Sequence, residues 1–266
     1  MQKKLLLIGS LAFMMACARV PITGRSQLNL IPESTMQSMA LQEYQTFLTT
    51  NKTVSSATSK DAEMVKRVGQ RISAAVTRYM AQNNLSAEVA NYKWEFNLVD
   101  NKEVNAWCMP GGKVVVYTGL LPVTQNETAL SCVMGHEIAH AIARHGNERM
   151  SQQLVSQGIQ VAGQVALNRN PTAQNAFLQS FGVGSGLGLL AFSRKDELEA
   201  DHLGVIFMAM AGYNPQEAIP FWKRMASAST GSKPPELTST HPSDERRIAQ
   251  LQTVMPEAMK YYQPIK

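Results

Sequence analysis

His136, Glu137 and His140 interrupt an otherwise apolar run, SCVMGHEIAHAIARHG, residues 131–146. On a helix, residues four apart stand one turn apart on the same face, so the two imidazoles can reach a single cation. Glu137 follows the first of them, where its carboxylate can reach a water on that cation without binding the cation itself. This H-E-x-x-H spacing suits a zinc ion and metal-assisted hydrolysis.

Two histidines make half a site, and the search for a third ligand is selective. A metzincin pattern needs glycine at 143 and histidine at 146, but the chain has Ala143 and Gly146. His145, five residues after His140, points away from the shared face on a continuous helix and reads as a surface histidine near a helix C-terminus. Downstream, SRKDELEADHLG (193–204) offers Glu197 and Asp201 four residues apart on one face, with Glu199 rotated about 200° from Glu197. Glu197 is therefore assigned to the metal, with Glu199 and Asp201 as alternatives. Asp201 is placed behind it, to orient a ligating imidazole through its other ring nitrogen. Cys132, one turn before His136, is either a further ligand, a buried thiol or a disulfide partner of Cys108.

These side chains need a scaffold, and 266 residues, 44% hydrophobic and 17% charged, can bury a substantial core. Residues 1–16 read as a signal peptide: Lys3 and Lys4 precede an apolar run that is too short to span a bilayer. The ending MMAC resembles a lipobox, with Cys17 as the lipidated residue, although Met14 stands where leucine is more usual. Residues 17–31 are then a tether to the lipid, and 32–266 the folded domain. Without the two leader lysines the charge falls from +5 to +3, too small an excess to imply nucleic acid.

Met64, Val65, Val68, Ile72 and Val76 form a helical stripe, and two helices are predicted between Pro32 and about Asn84. YKWEFNLVD and GGKVVVYTGLL read as strands around a turn at Pro110, Gly111 and Gly112. Helical pattern returns from about Asn126 to Leu167, and two or three further helices follow NRNPTAQN. The expected fold class is α+β, mainly helical, with a small antiparallel sheet beside the active-site helix.

Four motifs in this order, NAWCMPGGKVVVYTGLL (105–121), HEIAH (136–140), ELEAD (197–201) and STHPSDERRI (239–248), resemble the metallopeptidases of the Ste-twenty-four, HtpX and Oma type. The chain shows no multi-span membrane region, so it is most similar to compact, Oma-like bacterial envelope lipoproteins. The resemblance implies a gluzincin-like domain that holds one zinc ion on His136, His140 and Glu197, with Glu137 as general base. It also implies that His241 stabilises the oxyanion or approaches the zinc in a closed state, and that Arg247 holds that segment or a nearby carboxylate. Asn105, Gly111 and Gly112 fall in a motif expected to support the site or face the substrate. The strand in PGGKVVVYTG is expected to be a sheet edge that accepts an extended substrate.

The function expected is a zinc-dependent endopeptidase acting on unfolded or misassembled envelope proteins. It would face the periplasm, on the outer membrane rather than the inner, and be held to the membrane by its lipid. An envelope chaperone or assembly factor with a regulatory or silent zinc site is the alternative, and a purely structural lipoprotein the third. The apolar, glycine-containing segment 176–192 is expected to be a loop and helix start packed near the cleft as a lid over the zinc, rather than a membrane insertion.

Overall fold

The computed structural model describes residues 17–157, 170–183, 192–228, 240–241 and 245–264. The expected signal peptide, most of the expected lid (184–191) and Pro242 of the fourth motif lie outside the described residues.

The predicted stripe lies on α2 (Lys60–Gln82), which follows α1 (Glu33–Thr50). The Ser59 hydroxyl accepts from the Ala62 amide and starts α2, with Asp61 and Glu63 in the first turn where the helix dipole favours them. Val65, Val68, Ile72 and Val76 are fully buried. Strands β3 (Thr53–Val54), β4 (Glu95–Val99), β5 (Ala106–Met109) and β6 (Lys113–Tyr117) form one sheet in the order β3-β4-β6-β5.

The α+β class is as expected, but the sheet is mixed, because β4 and β6 run parallel while the other pairs are antiparallel. Its two faces belong to two cores. Ala106, Cys108, Val114 and Val116 pack with α2, while Trp107, Met109, Val115 and Tyr117 face α1. Burial on both faces explains why β6 reads as an unbroken apolar run. It also corrects the expected edge: β6 is an inner strand, and β5 is the outer one on that side.

Gly111 and Gly112 close the β5–β6 hairpin with φ of 80° and 83°, a conformation that side chains with a Cβ resist. Their carbonyls accept from Lys93 and Glu95. These bonds hold the hairpin to the chain leading into β4. Asn105 is buried just before β5, where its Oδ1 accepts from the Ala106 amide and its Nδ2 donates to the Gly182 carbonyl.

The longer helices that follow among the described residues are α3 (Glu127–Ile142), α4 (His145–Ser156), α5 (Pro171–Ser180), α6 (Arg194–Met210), α7 (Ala218–Ala228) and α8 (Glu245–Tyr261). Helix α3 begins at an Asn126 cap whose Oδ1 accepts from the Ala129 amide. Helix α6 begins at a capping box formed by Ser193 and Asp196. Among the described residues, no helix is long and apolar enough to cross a membrane.

The segment expected to be a tether has structure of its own over its described length. β1 (Cys17–Arg19) and β2 (Ser26–Leu28) form an antiparallel hairpin rather than a loose linker. Val20, Gln27 and Ile31 are buried, the Leu30 amide donates to the Ser151 hydroxyl, and Asn147 Nδ2 donates to the Ile31 carbonyl. The segment looked polar in sequence because its main polar anchor, Arg25, has partners that only tertiary structure brings together.

Candidate metal centre

Helices α3 and α6 meet where each carries a glycine. A Cβ added to Gly135 would stand 2.8 Å from the Gly204 carbonyl oxygen, and one added to Gly204 would stand 3.0 Å from the His136 amide nitrogen. With nothing larger than hydrogen between them, the two backbones touch. Glu197 and Asp201, two turns and one turn earlier on α6, are thereby laid across His136 and His140. The sequence reading passed over this glycine pair, although a lone glycine inside each of two helical patterns was its visible sign.

Four donors converge: His136, His140, Glu197 and His241, all buried, with their ligand atoms within 4.8 Å of one another. Nε2 of His136 lies 3.0 Å from Nε2 of His140 and 3.2 Å from Nδ1 of His241. Glu197 approaches both α3 imidazoles at 3.4 Å, and His241 Nδ1 at 3.0 Å. Ligands about 2.0–2.1 Å from one tetrahedral ion stand roughly 3.3 Å apart, so these residues fit a single metal ion. Glu137, the remaining acid, has a buried Oε1 with no hydrogen-bond partner among the described residues, 3.6 Å from His241 Nε2. An unpaired buried carboxylate oxygen is costly, and it marks a place for a water or a substrate group.

The surroundings fix these donors. Asp201 Oδ1 lies 3.0 Å from His136 Nδ1. Arg247 grips Asp201 with two hydrogen bonds of 2.7 Å, from Nε and Nη2, and its Nη1 lies 2.7 Å from Glu197 Oε2. Nη1 also donates to the His241 carbonyl at 3.3 Å. The guanidinium sits over Trp222 at 4.0 Å, and Trp222 packs edge-on to His136 at 5.1 Å. Phe192 stacks on His140 at 4.0 Å and carries the Arg149 guanidinium on its other side, 3.8 Å away.

Burial opposes charge on every group here, and the partners decide the outcome. His136 is held up at about 9 in spite of burial, by Asp201 and Glu197. Burial drives His140 well below the usual histidine value. Burial would raise Glu197, but Arg247, His241 and the two α3 histidines pull it far down. Glu137 is raised by burial, which makes it a stronger proton acceptor than an exposed glutamate.

The structure thus brings His136, His140, Glu197, His241, Glu137, Asp201 and Arg247 into one place. Cys132 is not among the donors. It and Cys108 are buried free thiols, and burial raises both, so of the three readings left open for Cys132 the buried thiol is the one the structure supports.

His145 is the clearest departure from expectation. It is fully buried, because α3 ends at Ile142 and Arg144 adopts a left-handed φ of 62°, which turns the chain before α4 starts. Ion pairs from Arg144 to Glu88 and Glu33 accompany that conformation. The projection from a continuous helix no longer applies, and His145 folds back so that its Nδ1 lies 2.8 Å from His140 Nδ1. Its Nε2 is 2.9 Å from Glu199 Oε2. Glu199 indeed faces away from Glu197's partners, as its rotation on the helix requires. It accepts from Arg25 Nε at 2.7 Å and from the Thr23 hydroxyl. These contacts outweigh burial and hold its carboxyl down at about 2.

Residues 36–255 match the family described as Peptidase family M48. The chain is 35% identical over 188 residues to the mitochondrial metalloendopeptidase OMA1 of Schizosaccharomyces pombe, covering 70% of this chain and 53% of the relative. It is 30% identical over 251 residues to the mitochondrial metalloendopeptidase OMA1 of Bos taurus, covering 90% of this chain and 46% of the relative. It is 33% identical over 161 residues to the beta-barrel assembly-enhancing protease of Escherichia coli, covering 59% of this chain and 33% of the relative. The matches therefore span about half or less of each relative's length. With the match to 36–255 taking in all of the clustered donors, the chain belongs to Peptidase family M48, the metallopeptidases of the Oma type that its motifs resemble.

Proposed function

We propose that the chain is a zinc-dependent endopeptidase of the bacterial cell envelope, acting on unfolded or misassembled envelope proteins. The observation that carries the catalytic part is the convergence of His136, His140 and Glu197 at tetrahedral spacing beside the unpartnered Glu137 oxygen. Zinc held by those three residues would supply the positive charge that polarises a peptide carbonyl and acidifies a water.

The chain's own residues supply the rest. Asp201, clamped by Arg247, faces Nδ1 of His136 and leaves Nε2 directed into the cluster. Glu137 takes the proton of the attacking water and returns it to the leaving amine, a role suited to a carboxyl whose affinity for protons is raised. His241 stands at the fourth corner, so it must move aside before a substrate carbonyl can enter. Its imidazole is then a donor for the developing oxyanion.

The placement in the envelope rests on the leader and Cys17, and on the similarity to a protease named for beta-barrel assembly. Lipid on Cys17 would hold the protein at the membrane, facing the periplasm. The position of His241 favours a second reading, an assembly factor whose zinc site is kept closed.

Metal analysis with a Glu137→Gln variant separates the two. The endopeptidase reading expects stoichiometric zinc in both proteins and casein cleavage reduced about 10²–10⁴-fold in the variant. It also expects chelation to stop the wild type and added zinc to restore it. Cleavage by Glu137→Gln at the wild-type rate would end this reading, and full rescue of a deletion phenotype by the variant would favour the assembly factor.

A further inference from the structure

Two imidazoles of the cluster are supported in different ways. His136 has a carboxylate behind it, Asp201, held by the buried Arg247. His140 stands in the last turn of α3 and has no carboxylate behind it among the described residues. The group at its Nδ1 is His145, at 2.8 Å. Phe192 stacks on the His140 ring but has no polar atom with which to fix its rotation.

We propose that His145, held by Glu199 and Arg25, is the positioning residue for the metal ligand His140, so that the N-terminal hairpin completes the metal site. The proposal rests on the reading of His136, His140 and Glu197 as metal ligands. The proton inventory permits one arrangement. With the Nε2 lone pair of His140 turned into the cluster, its neutral ring carries the proton on Nδ1. Nδ1 of His145 must then accept, so His145 carries its own proton on Nε2 and donates it to Glu199 Oε2 at 2.9 Å. Glu199 can only accept, and Arg25 Nε donates to the same oxygen at 2.7 Å.

The chain of contacts from Arg25 through Glu199 and His145 to His140 therefore has a donor facing an acceptor at every step. Arg25 is itself fixed by Glu148 and Asp196, each 2.9 Å from its Nη2. It belongs to the hairpin segment that precedes residue 36, where the family match begins. A supporting element of the site thus comes from outside the matched region. His145 acts through His140 and does not need to touch the substrate.

The test uses three substitutions at one position, in the full chain. His145→Asn keeps an acceptor near the Nδ1 position and loses the reach to Glu199, whereas His145→Gln reaches towards Glu199 and leaves His140 without its acceptor. His145→Phe keeps the ring volume and loses both. Zinc affinity is measured by competition with a chromophoric chelator, and thermal melting of the metal-free proteins reports folding.

His145→Phe and His145→Gln are expected to weaken zinc binding about 10–100-fold, while His145→Asn stays within a few-fold of wild type. Arg25→Ala is expected to weaken it in the same direction by a smaller factor. A role confined to packing would lower the melting temperature without separating Asn from Gln. Equal affinities for the Asn and Gln variants, or wild-type affinity in Arg25→Ala, overturn the proposal. If His145→Phe does not fold, the Asn and Gln pair still decides. Wild-type protein that binds zinc no better than His136→Ala would instead bring down the metal-ligand reading itself.

Discussion

Two clusters built from the same residue types, histidine and carboxylate, lie back to back in this domain. The front one joins His136, His140, Glu197 and His241; the rear one joins His145, Asp196 and Glu199. Both are buried, and both draw carboxylates from the first two turns of α6. They differ in where their lone pairs point. In the rear cluster Arg25 already supplies a cation to Asp196 and Glu199, and both nitrogens of His145 are engaged. In the front cluster the ring nitrogens crowd one another at 3.0–3.2 Å, and one Glu137 oxygen has no hydrogen-bond partner among the described residues. Residue type alone does not make a metal site; donors must converge on a point that no side-chain cation fills.

The sharpest way to break that comparison is to change one acid in each cluster. Glu197→Gln removes a converging charged donor, and loss of stoichiometric zinc is expected. Asp196→Asn changes an acid 3.9 Å from His145 that is engaged by Ser193 and Arg25. It should keep zinc and cost about 1 kcal/mol of stability through the weakened cap. Metal content after dialysis checks both, and zinc retained by Glu197→Gln would show that the convergence at the front has been misread.

A smaller effect is expected where the backbones cross. Gly135→Ala directs a methyl group at the Gly204 carbonyl, 2.8 Å away, and neither helix backbone can yield cheaply. Separating α3 from α6 should cost about 1–3 kcal/mol, and several degrees of melting temperature in a domain of this size. Because it moves Glu197 relative to His136 at the front, zinc affinity should fall as well. The rear contact from His145 to His140, which joins α3 to α4, should be spared. A variant with lowered stability but unchanged zinc affinity would show that the crossing does not set the donor spacing.

How far the site was legible depends on whether the information was local. His136, Glu137 and His140 share one helix, and Glu197 and Asp201 another, so helical spacing alone paired them correctly. The α2 stripe and the β6 apolar run are equally plain, and the edge assignment of the latter goes against its own unbroken run, which is the sequence mark of a strand buried on both faces. His145 failed for a different reason: a left-handed Arg144, with no glycine to announce it, ended the helix between two histidines that looked continuous. Arg25 was invisible in principle, since its three carboxylates lie 123, 171 and 174 residues away. His241 and Arg247 came from family resemblance, because their partners on α6 are more than 40 residues distant.

The smallest effect separates the clusters by their response to acid. The Glu199 carboxyl is held at about 2, against about 4.5 for an unperturbed glutamate. A carboxyl depressed on folding contributes stability above its unfolded pKa, and that contribution is lost as the pH falls through the folded value. The Arg25–Glu199–His145 connection should therefore weaken between about pH 4.5 and 2. Glu197 and Asp201 are depressed too, by Arg247 and the histidines after burial has opposed them, so the front cluster loses stability in the same direction. Acid unfolding of metal-free Glu199→Gln should consequently be shallower than wild type in that window without becoming flat, and the two should run parallel above pH 5. Identical slopes would show that the rear network contributes nothing to acid stability. A difference confined to higher pH would mean that some group other than Glu199 is titrating.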